Sequence, residues 1–201
     1  MTRTAAAAET SADEPRRRRL LEAALATFAR FGFRKTSMEE VARAAHVSRQ
    51  GLYLHFATKE DLFCAAVRHA LQTGLDAASG RLADGGLSIH EKLVGAFDEW
   101  VGRYVGMFGA DVTDLHEASD SFLGPMLAQH EELFLEAVTR AIRASGLPAV
   151  YKRAGLTARQ LTDTLHATAR GLKHQCGSRA EFAQRFAIAV SALCLPLRER
   201  G

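Results

Sequence analysis

Apolar residues recur with helical spacing along most of the chain. The first amphipathic segment has its apolar positions on one helical face: Leu20, Leu21, Ala24, Leu25 and Phe28. Pro15 suits the first turn of such a helix, and Gly32 suits its C-terminal end. Alternation bounded by hairpin turns, which is typical of strands, is not found in the sequence. The pattern therefore predicts an all-α fold.

Three helix starts follow closely on this first segment. Ser37 and Glu40 match the S-x-x-E capping box, Ser48 is placed to cap a second short helix from Arg49 to about Phe56, and Thr58–Asp61 resembles a third cap. Two short helices joined by a tight turn and braced by a preceding helix form a helix-turn-helix. The pattern alone leaves open a helical hairpin in an ordinary all-α core.

The rest of the sequence predicts a helical bundle, which follows a glycine-rich segment at Gly80–Gly86. Five helices are expected, with a linker at 146–156: Ser88–Met107, Asp111–Ser119, Phe122–Ser145, Thr157–His174 and Ser178–Leu197. The last two carry apolar stripes at helical spacing. Their dimer-forming positions are predicted to be Leu161, Leu165, Leu172, Phe182, Phe186, Ala189 and Leu193. Two such helices from each of two copies would form a four-helix bundle.

Composition narrows the class of protein. The chain has 201 residues, of which 47% are hydrophobic and 24% charged, as in ordinary globular proteins. Its longest uncharged stretch, 186–197, is shorter than the roughly 20 residues that a membrane helix needs, so we expect no membrane association. The three cysteines are far apart, which argues against disulfides and zinc, predicts no cofactor or metal, and fits a reducing cytoplasm. Residues 1–14 are small and polar and are expected to form a disordered arm.

The positive charge is concentrated near the N-terminus. Between Pro15 and Lys59 there are 10 Lys or Arg residues against 3 Asp or Glu, whereas the whole chain carries a net charge of +3. A compact basic unit of this kind is typical of nucleic-acid-binding modules. The quartet Arg16–Arg19 lies in the predicted first turn of a helix, where cations oppose the helix dipole. Contact with DNA phosphates would compensate for that cost, and a solvated charge run is the alternative.

The segment TSMEEVARAAHVSRQGLYLHFATKEDL at 36–62, with LLEAALATFARFGF at 20–33, resembles the N-terminal domain of the tetracycline-repressor (TetR) family of bacterial regulators. The resemblance covers less than a quarter of the chain. It implies a DNA-binding domain at 15–60 and an effector-binding and dimerisation domain at 61–201. The chain departs from the family pattern at His46, where glycine is usual and a positive φ is expected, and at Leu54, where an aromatic or polar residue is common.

The resemblance and the placement of the second short helix together suggest a DNA-contacting set. Arg49 and Gln50 would meet base edges in the major groove, since Arg suits guanine and Gln suits adenine. Gly51 would allow close backbone approach, and Tyr53 and His55 would contact phosphates. The remaining candidates lie at helix starts, which attract anions: Thr36, Ser37, Ser48 and Lys59. Several of these residues are equally compatible with capping or with an ordinary exposed helix surface.

Aromatic, methionine and histidine residues in the C-terminal part suggest an apolar ligand pocket. The candidates are Phe97, Trp100, Tyr104, Phe108, Phe122, Met126, His130, Phe134 and His166. Residue by residue, an ordinary core is the favoured alternative. The histidines show no spacing typical of metal ligands.

These observations predict an all-α, homodimeric, cytoplasmic bacterial regulator, most simply a repressor that leaves a palindromic double-stranded DNA operator when a small molecule binds. The alternatives are a helical-bundle enzyme and a protein–protein adaptor with a basic N-terminus. No catalytic motif such as G-x-S-x-G, H-E-x-x-H or a phosphate-binding glycine loop supports the enzyme.

Overall fold

The computed structural model describes the backbone of residues 3–107 and 112–198, and these residues form nine α-helices and two 3₁₀ turns without strands. The helices are α1 Arg3–Phe31, α2 Met38–Ala44, α3 Arg49–His55, α4 Lys59–Ala83, α5 Ile89–Trp100, α6 Val112–Ala144, α7 Leu147–Tyr151, α8 Ala158–Lys173 and α9 Arg179–Arg198. The 3₁₀ turns are Gly102–Tyr104 and Lys152–Ala154. The all-α prediction is confirmed. None of the described helices is long and apolar enough to cross a membrane.

The chain divides into two compact units. The first comprises Met1–Ala70 with Phe108–Gly124, and the second comprises Leu71–Met107 with Pro125–Gly201. Helices α4 and α6 contribute residues to both units. The division expected after residue 60 falls at the start of α4, whereas the compact first unit extends ten residues further along that helix.

The helix starts predicted from local sequence are confirmed. The Glu40 amide donates to Ser37 Oγ at 3.2 Å, and the Ser37 amide donates to Glu40 Oε2 at 2.7 Å, which completes the capping box of α2. These hydrogen bonds from Ser37 lower the pKa of the Glu40 carboxyl group. The amides of Thr58 and Asp61 bond reciprocally to each other's side chains at the start of α4. Capping satisfies amides that a helix start otherwise leaves unpaired.

The turn between α2 and α3 requires a left-handed residue, and the chain uses histidine there. His46 has φ 55°, the one positive φ among the non-glycine residues that the structure describes. The Val47 amide donates to the Ala42 carbonyl at 3.0 Å, and the His46 amide donates to the Arg43 carbonyl at 3.2 Å. This pair of bonds is the Schellman arrangement, in which the left-handed position usually belongs to glycine. The positive φ expected at His46 is confirmed.

Aromatic rings form the centre of the first unit. Phe63 packs edge-on against Phe28, with ring centres 5.2 Å apart, and lies 5.1 Å from Phe33. Phe122 adds a fourth ring, 5.5 Å from Phe33. Leu52 is the buried residue of α3 and is fully inaccessible. The packing therefore holds α3 by one face and leaves its other faces at the surface.

A second aromatic cluster forms the core of the other unit. Phe97 packs edge-on against Phe134 at 5.0 Å between ring centres and lies 4.8 Å from Phe186. Phe182 stacks on Phe186 with nearly parallel rings. A buried hydrogen bond from Thr139 to Thr162, 3.0 Å long, links α6 to α8 beside this core.

Helix α1 begins earlier than predicted. It is helical from Arg3, whereas the sequence predicts a disordered arm over residues 1–14 and a start at Pro15. Alanine, which occupies positions 5–8, has the highest intrinsic helix propensity of any residue type. Pro15 lies inside the helix and removes a single backbone amide from it. The expectation of a disordered arm is therefore wrong for the residues from Arg3 onward.

Three element boundaries in the second half also differ from the prediction. Helix α5 ends at Trp100 instead of Met107: a 3₁₀ turn follows at Gly102–Tyr104, and Gly106 has φ 76°, outside the right-handed helical region. Helix α6 is continuous, because the exposed Asp120 and Ser121 lie on its surface instead of capping a new helix. The expected linker contains α7, with Pro148 in its first turn.

Candidate nucleic-acid interface

Helix α3 presents most of its side chains to solvent. Leu52 is buried against the core, and Phe56, which follows the helix, is also buried. The exposed side chains of the helix are Arg49, Gln50, Tyr53, Leu54 and His55. Four of these five are members of the predicted DNA-contacting set, and the structure brings them together on one short, firmly anchored helix.

Arg49 is held beside Tyr53. Its guanidinium carbon lies 5.6 Å from the centre of the Tyr53 ring, one turn further along α3. A Glu39 carboxylate oxygen lies 4.0 Å away, but both side chains are about two-thirds exposed, so this ion pair contributes little. The guanidinium is therefore oriented at the surface without being neutralised by a buried partner.

The start of α3 explains Gly51. The Gly51 amide donates to Ser48 Oγ at 2.9 Å, and a Cβ added to Gly51 would lie only 3.0 Å from the same oxygen. The tight cap thus favours glycine at this position independently of DNA. Ser48 and Gly51 have a structural role in forming α3, as well as lying at its exposed end.

Two of the predicted phosphate contacts are engaged inside the unit. Thr36 is 2% exposed, and its hydroxyl donates to the Gly32 carbonyl at 2.7 Å, so its side chain is not presented at the surface. Lys59 Nζ donates to the carbonyls of Phe33 at 3.0 Å and Arg34 at 3.3 Å. The same ammonium lies 4.5 Å from the centre of the Phe33 ring. Lys59 therefore ties the start of α4 to the turn that follows α1. Ser37 remains exposed, as a helix cap.

The basic quartet of α1 lies next to α3. Arg16–Arg19 are all exposed. A pocket of about 160 Å³ lies between α1 and α3. It is lined by residues of these two helices and by one residue of the turn before α3: Arg16, Arg17, Leu20, Val47, Gly51, Leu52, Leu54 and His55. Cations from α1 and the exposed end of α3 therefore share one surface, which we name the basic face.

The predicted ligand-pocket residues fall into different environments. Phe97 and Phe134 are fully buried and pack against each other. Trp100 is partly exposed and stacks on Phe134 at 4.9 Å with an interplanar angle of 14°. Burial raises the pKa of Tyr104, which follows in the 3₁₀ turn. Phe108 lies outside the described residues, and no structure is assigned to it here.

The remaining pocket candidates have neighbours of their own. Phe122 belongs to the first unit, where it packs on Phe33. His130 Nδ1 donates to the Met126 carbonyl, one turn earlier on α6, at 2.9 Å. His166 Nε2 lies 3.1 Å from a Glu131 carboxylate oxygen. In the part of the chain that the structure describes, no three His, Cys, Asp or Glu side chains are grouped to hold a metal ion.

The apolar stripes of the last two helices are part of the chain's own core. Leu161, Leu165, Phe182 and Phe186 are all buried, the two phenylalanines completely. Leu172, Ala189 and Leu193 are partly buried. The four buried residues of the predicted dimer-forming set are therefore covered within the second unit of one chain.

A different face of α9 is exposed and apolar. Ile188 is 70% exposed and Leu195 is 51% exposed, and Ala192 lies between them on the same side. Sequence reasoning missed these positions, because 186–197 carries no charge and nearly every position in it is apolar. Without a polar side to the helix, spacing alone does not separate the buried face from the exposed one.

The N-terminal part of the chain is similar in sequence to known bacterial regulators. Residues 20–67 match the family described as "Bacterial regulatory proteins, tetR family". The chain is 40% identical over 60 residues to the HTH-type transcriptional regulator RutR of Escherichia coli K12, covering 30% of this chain and 28% of RutR. It is 45% identical over 47 residues to the probable acrEF/envCD operon repressor of the same strain, covering 23% and 21%. The matched segment thus spans less than a third of these curated relatives.

Structural similarity extends over most of the chain. The crystal structure of a putative TetR-family transcriptional regulator from Mesorhizobium loti superposes with a TM-score of 0.62. The match covers 90% of this chain and 96% of that protein at 19% identity, a level that shows the fold alone. The helix-turn-helix segment of this chain is therefore similar in sequence to the TetR family of bacterial regulatory proteins, and the chain as a whole is similar to that putative TetR-family regulator in fold.

Proposed function

We propose that this protein is a DNA-binding transcriptional repressor that leaves its operator when a small molecule binds the second unit. The observation that carries the proposal is that α3 exposes Arg49 and Gln50 at its N-terminal end, while Leu54 and His55 of the same helix share the basic face with Arg16 and Arg17. The similarity of residues 20–67 to TetR-family regulators favours this function over the helical-bundle enzyme that the sequence left open. One of the matched relatives is itself named as a probable repressor.

Helix α3 serves as the recognition helix in this proposal. Its N-terminal residues enter the major groove, with Arg49 contacting guanine and Gln50 contacting adenine. The Tyr53 hydroxyl and the His55 imidazole are at the surface and contact phosphates. Arg16 and Arg17 bind the backbone next to the groove, since guanidinium groups match phosphate geometry.

The functional unit is proposed to be a homodimer on a palindromic operator. Two recognition helices fit one face of duplex DNA when they are about 34–36 Å apart or a multiple of that distance. The exposed α9 face of Ile188, Ala192 and Leu195 is the surface we assign to the partner copy. It replaces the stripe through Phe186, whose residues are covered within one chain.

Effector binding is proposed to act through α4, which begins immediately after the recognition helix and contributes to both units. In the second unit a Cβ added to Gly74 of α4 would lie 3.5 Å from Trp100 Cε3 and 3.5 Å from Arg103 Nη1. A ligand that displaces Trp100 therefore pushes directly on α4. Movement of α4 would alter the hydrogen bonds from Lys59 to the turn that follows α1. It would thereby change the placement of α3.

Titration of duplex DNA at several salt concentrations tests the proposal. Binding through phosphates gives a linear fall of log affinity with log salt, with a slope of about 0.9 per phosphate contacted. Replacing both Arg16 and Arg17 with Ala should flatten that slope by about 2, while sequence preference is retained. The matched control replaces Arg140 and Arg153, two exposed arginines of the second unit, and should leave the slope unchanged. Absence of salt-dependent duplex binding by the wild-type protein would refute the proposal.

A further inference from the structure

Leu54 is the most exposed large apolar side chain that the structure describes, at 81%. It lies on α3 one turn after Gln50, so the two side chains share a helix face. An isolated exposed leucine is common on protein surfaces and needs no explanation. The position of this one on the recognition helix is the feature that calls for a partner.

The surroundings of Leu54 restrict what that partner is. Arg16, Arg17 and His55 border the same shallow pocket as Leu54. An apolar group with cations beside it complements a surface that has an apolar spot next to phosphates. In duplex DNA the major groove offers such a spot at the C5-methyl group of thymine, while the other base edges there present hydrogen-bond donors and acceptors.

We propose that Leu54 contacts the C5-methyl group of a thymine and thereby selects thymine at one position in each half-site. The inference rests on the proposed function, in which α3 enters the major groove. Four residues along a helix rise about 6 Å, and successive bases of a strand are about 3.4 Å apart. The selected thymine is therefore expected within two base pairs of the base that Gln50 contacts. Leucine has no polar atom, so it gains nothing from the other three bases in that place.

Removal of single methyl groups from the DNA tests this directly. A duplex is first selected from a random pool by the full-length wild-type protein, and each thymine is then replaced in turn by uracil. Burial of one methyl group corresponds to about a fourfold change in affinity, so a single uracil in one half-site should weaken wild-type binding by about fourfold. Restoring bulk at that position with 5-bromouracil should recover the affinity.

The variant Leu54→Ala should bind the thymine and uracil duplexes equally, because the methyl-contacting side chain is gone. Leu54→Met keeps an apolar chain of similar length and should retain sensitivity to uracil. Leu133→Ala, at an exposed leucine of α6, is the matched control and should behave as wild type. Because Leu54 is exposed, thermal melts should show all three variants folded.

Three results would overturn the inference. One is wild-type binding that no uracil substitution weakens, and another is a uracil effect of equal size in Leu54→Ala. An equal loss of affinity for every duplex in Leu54→Ala would indicate contact with sugars in place of thymine, and would also overturn it. If the wild-type protein selects no duplex, the proposed function fails and this inference fails with it.

Discussion

The guanidinium of Arg49 lies over the ring of Tyr53, 5.6 Å from its centre and one helical turn away. Planar stacking of this kind suits arginine and is not reproduced by the compact ammonium of lysine. The contact limits the rotamers of a long exposed side chain. In the proposed complex Arg49 would therefore meet DNA already oriented, and less conformational entropy would be lost on binding.

Replacement of Arg49 should weaken base-specific binding. Arg49→Ala is expected to cost about 1–3 kcal/mol in operator affinity and to relax the preference at one position per half-site. Arg49→Lys should not restore the preference, because lysine lacks the two-pronged geometry that matches guanine. Tyr53→Phe keeps the ring and should retain the preference while losing the phosphate contact of the hydroxyl. Binding titrations against single-base operator variants measure both effects. Unchanged preference in Arg49→Ala would show that α3 is not the recognition helix.

Dimer formation should depend on the exposed face of α9. Ile188→Asp combined with Leu195→Asp introduces charge at a surface that we assign to the partner copy, and should give folded monomers with weak operator binding. Sedimentation reports the mass, and a thermal melt reports the fold. Phe186→Asp is the contrasting variant. Because it places a charge in the core, it should unfold the second unit, whereas the double variant should stay folded. A double variant that stays dimeric would place the interface elsewhere.

Local features of the first unit were predictable from the sequence because they depend on neighbouring residues. The pairs Ser37–Glu40 and Thr58–Asp61 form as expected, since a cap requires only residues three positions apart. The left-handed His46 follows from the same short-range logic. Of the interface candidates, Arg49 and Gln50 were placed correctly at the surface because the cap at Ser48 sets where α3 begins.

Long-range packing was not predictable in the same way. Periodicity identified Phe186 as part of an apolar stripe, but it does not say whether the same chain or a second copy covers that stripe. The contact between Phe122 and Phe33 joins residues far apart in sequence. In each case the deciding neighbour comes from outside the local pattern.

The stability of the second unit should fall in mild acid because of His166. Its imidazole on α8 faces Glu131 of α6 at 3.1 Å, with Arg170, Asp163 and Arg159 also nearby. Burial lowers the pKa of His166, and Glu131 opposes that shift without overcoming it. The unfolded chain therefore binds the proton more tightly than the folded protein. The stabilising effect of the neutral imidazole is complete above the unfolded pKa of about 6.5 and is lost as the pH falls from that value through the lower pKa of the folded protein.

Replacement of His166 with Gln should flatten this pH dependence. Denaturant titrations between pH 7.5 and 5 give the free energy of unfolding, which should decrease toward low pH in the wild type and decrease less in His166→Gln. His174→Gln changes an exposed histidine at the end of the same helix and should follow the wild type. A wild-type stability that rises as the pH falls would show that the ion pair with Glu131 dominates over burial.

Trp100 should report effector binding. Its ring stacks on Phe134 at 4.9 Å, and it lies against Gly74 on the helix that leads back to Lys59. It is the only tryptophan in the sequence, so its fluorescence can be followed alone. Compounds that change Trp100 emission should release operator DNA over the same concentration range. The coupling is reciprocal, so operator DNA should weaken binding of those compounds by the same factor, typically about 5–150-fold.

Two substitutions separate a ligand-contacting Trp100 from one that only fills the core. Trp100→Phe preserves an aromatic ring against Phe134 and should retain folding, DNA binding and release while removing the optical signal. Trp100→Ala should weaken the compound and leave DNA affinity nearly unchanged if the ring forms a wall of the site. If the ring is purely structural, Trp100→Ala should cost about 3–5 kcal/mol of stability and abolish DNA binding together with the fold. A thermal melt run beside the DNA titration distinguishes these cases. A large fall in melting temperature without a specific ligand effect would exclude Trp100 from the effector site, because the coupling proposed for α4 requires the ring to contact the ligand.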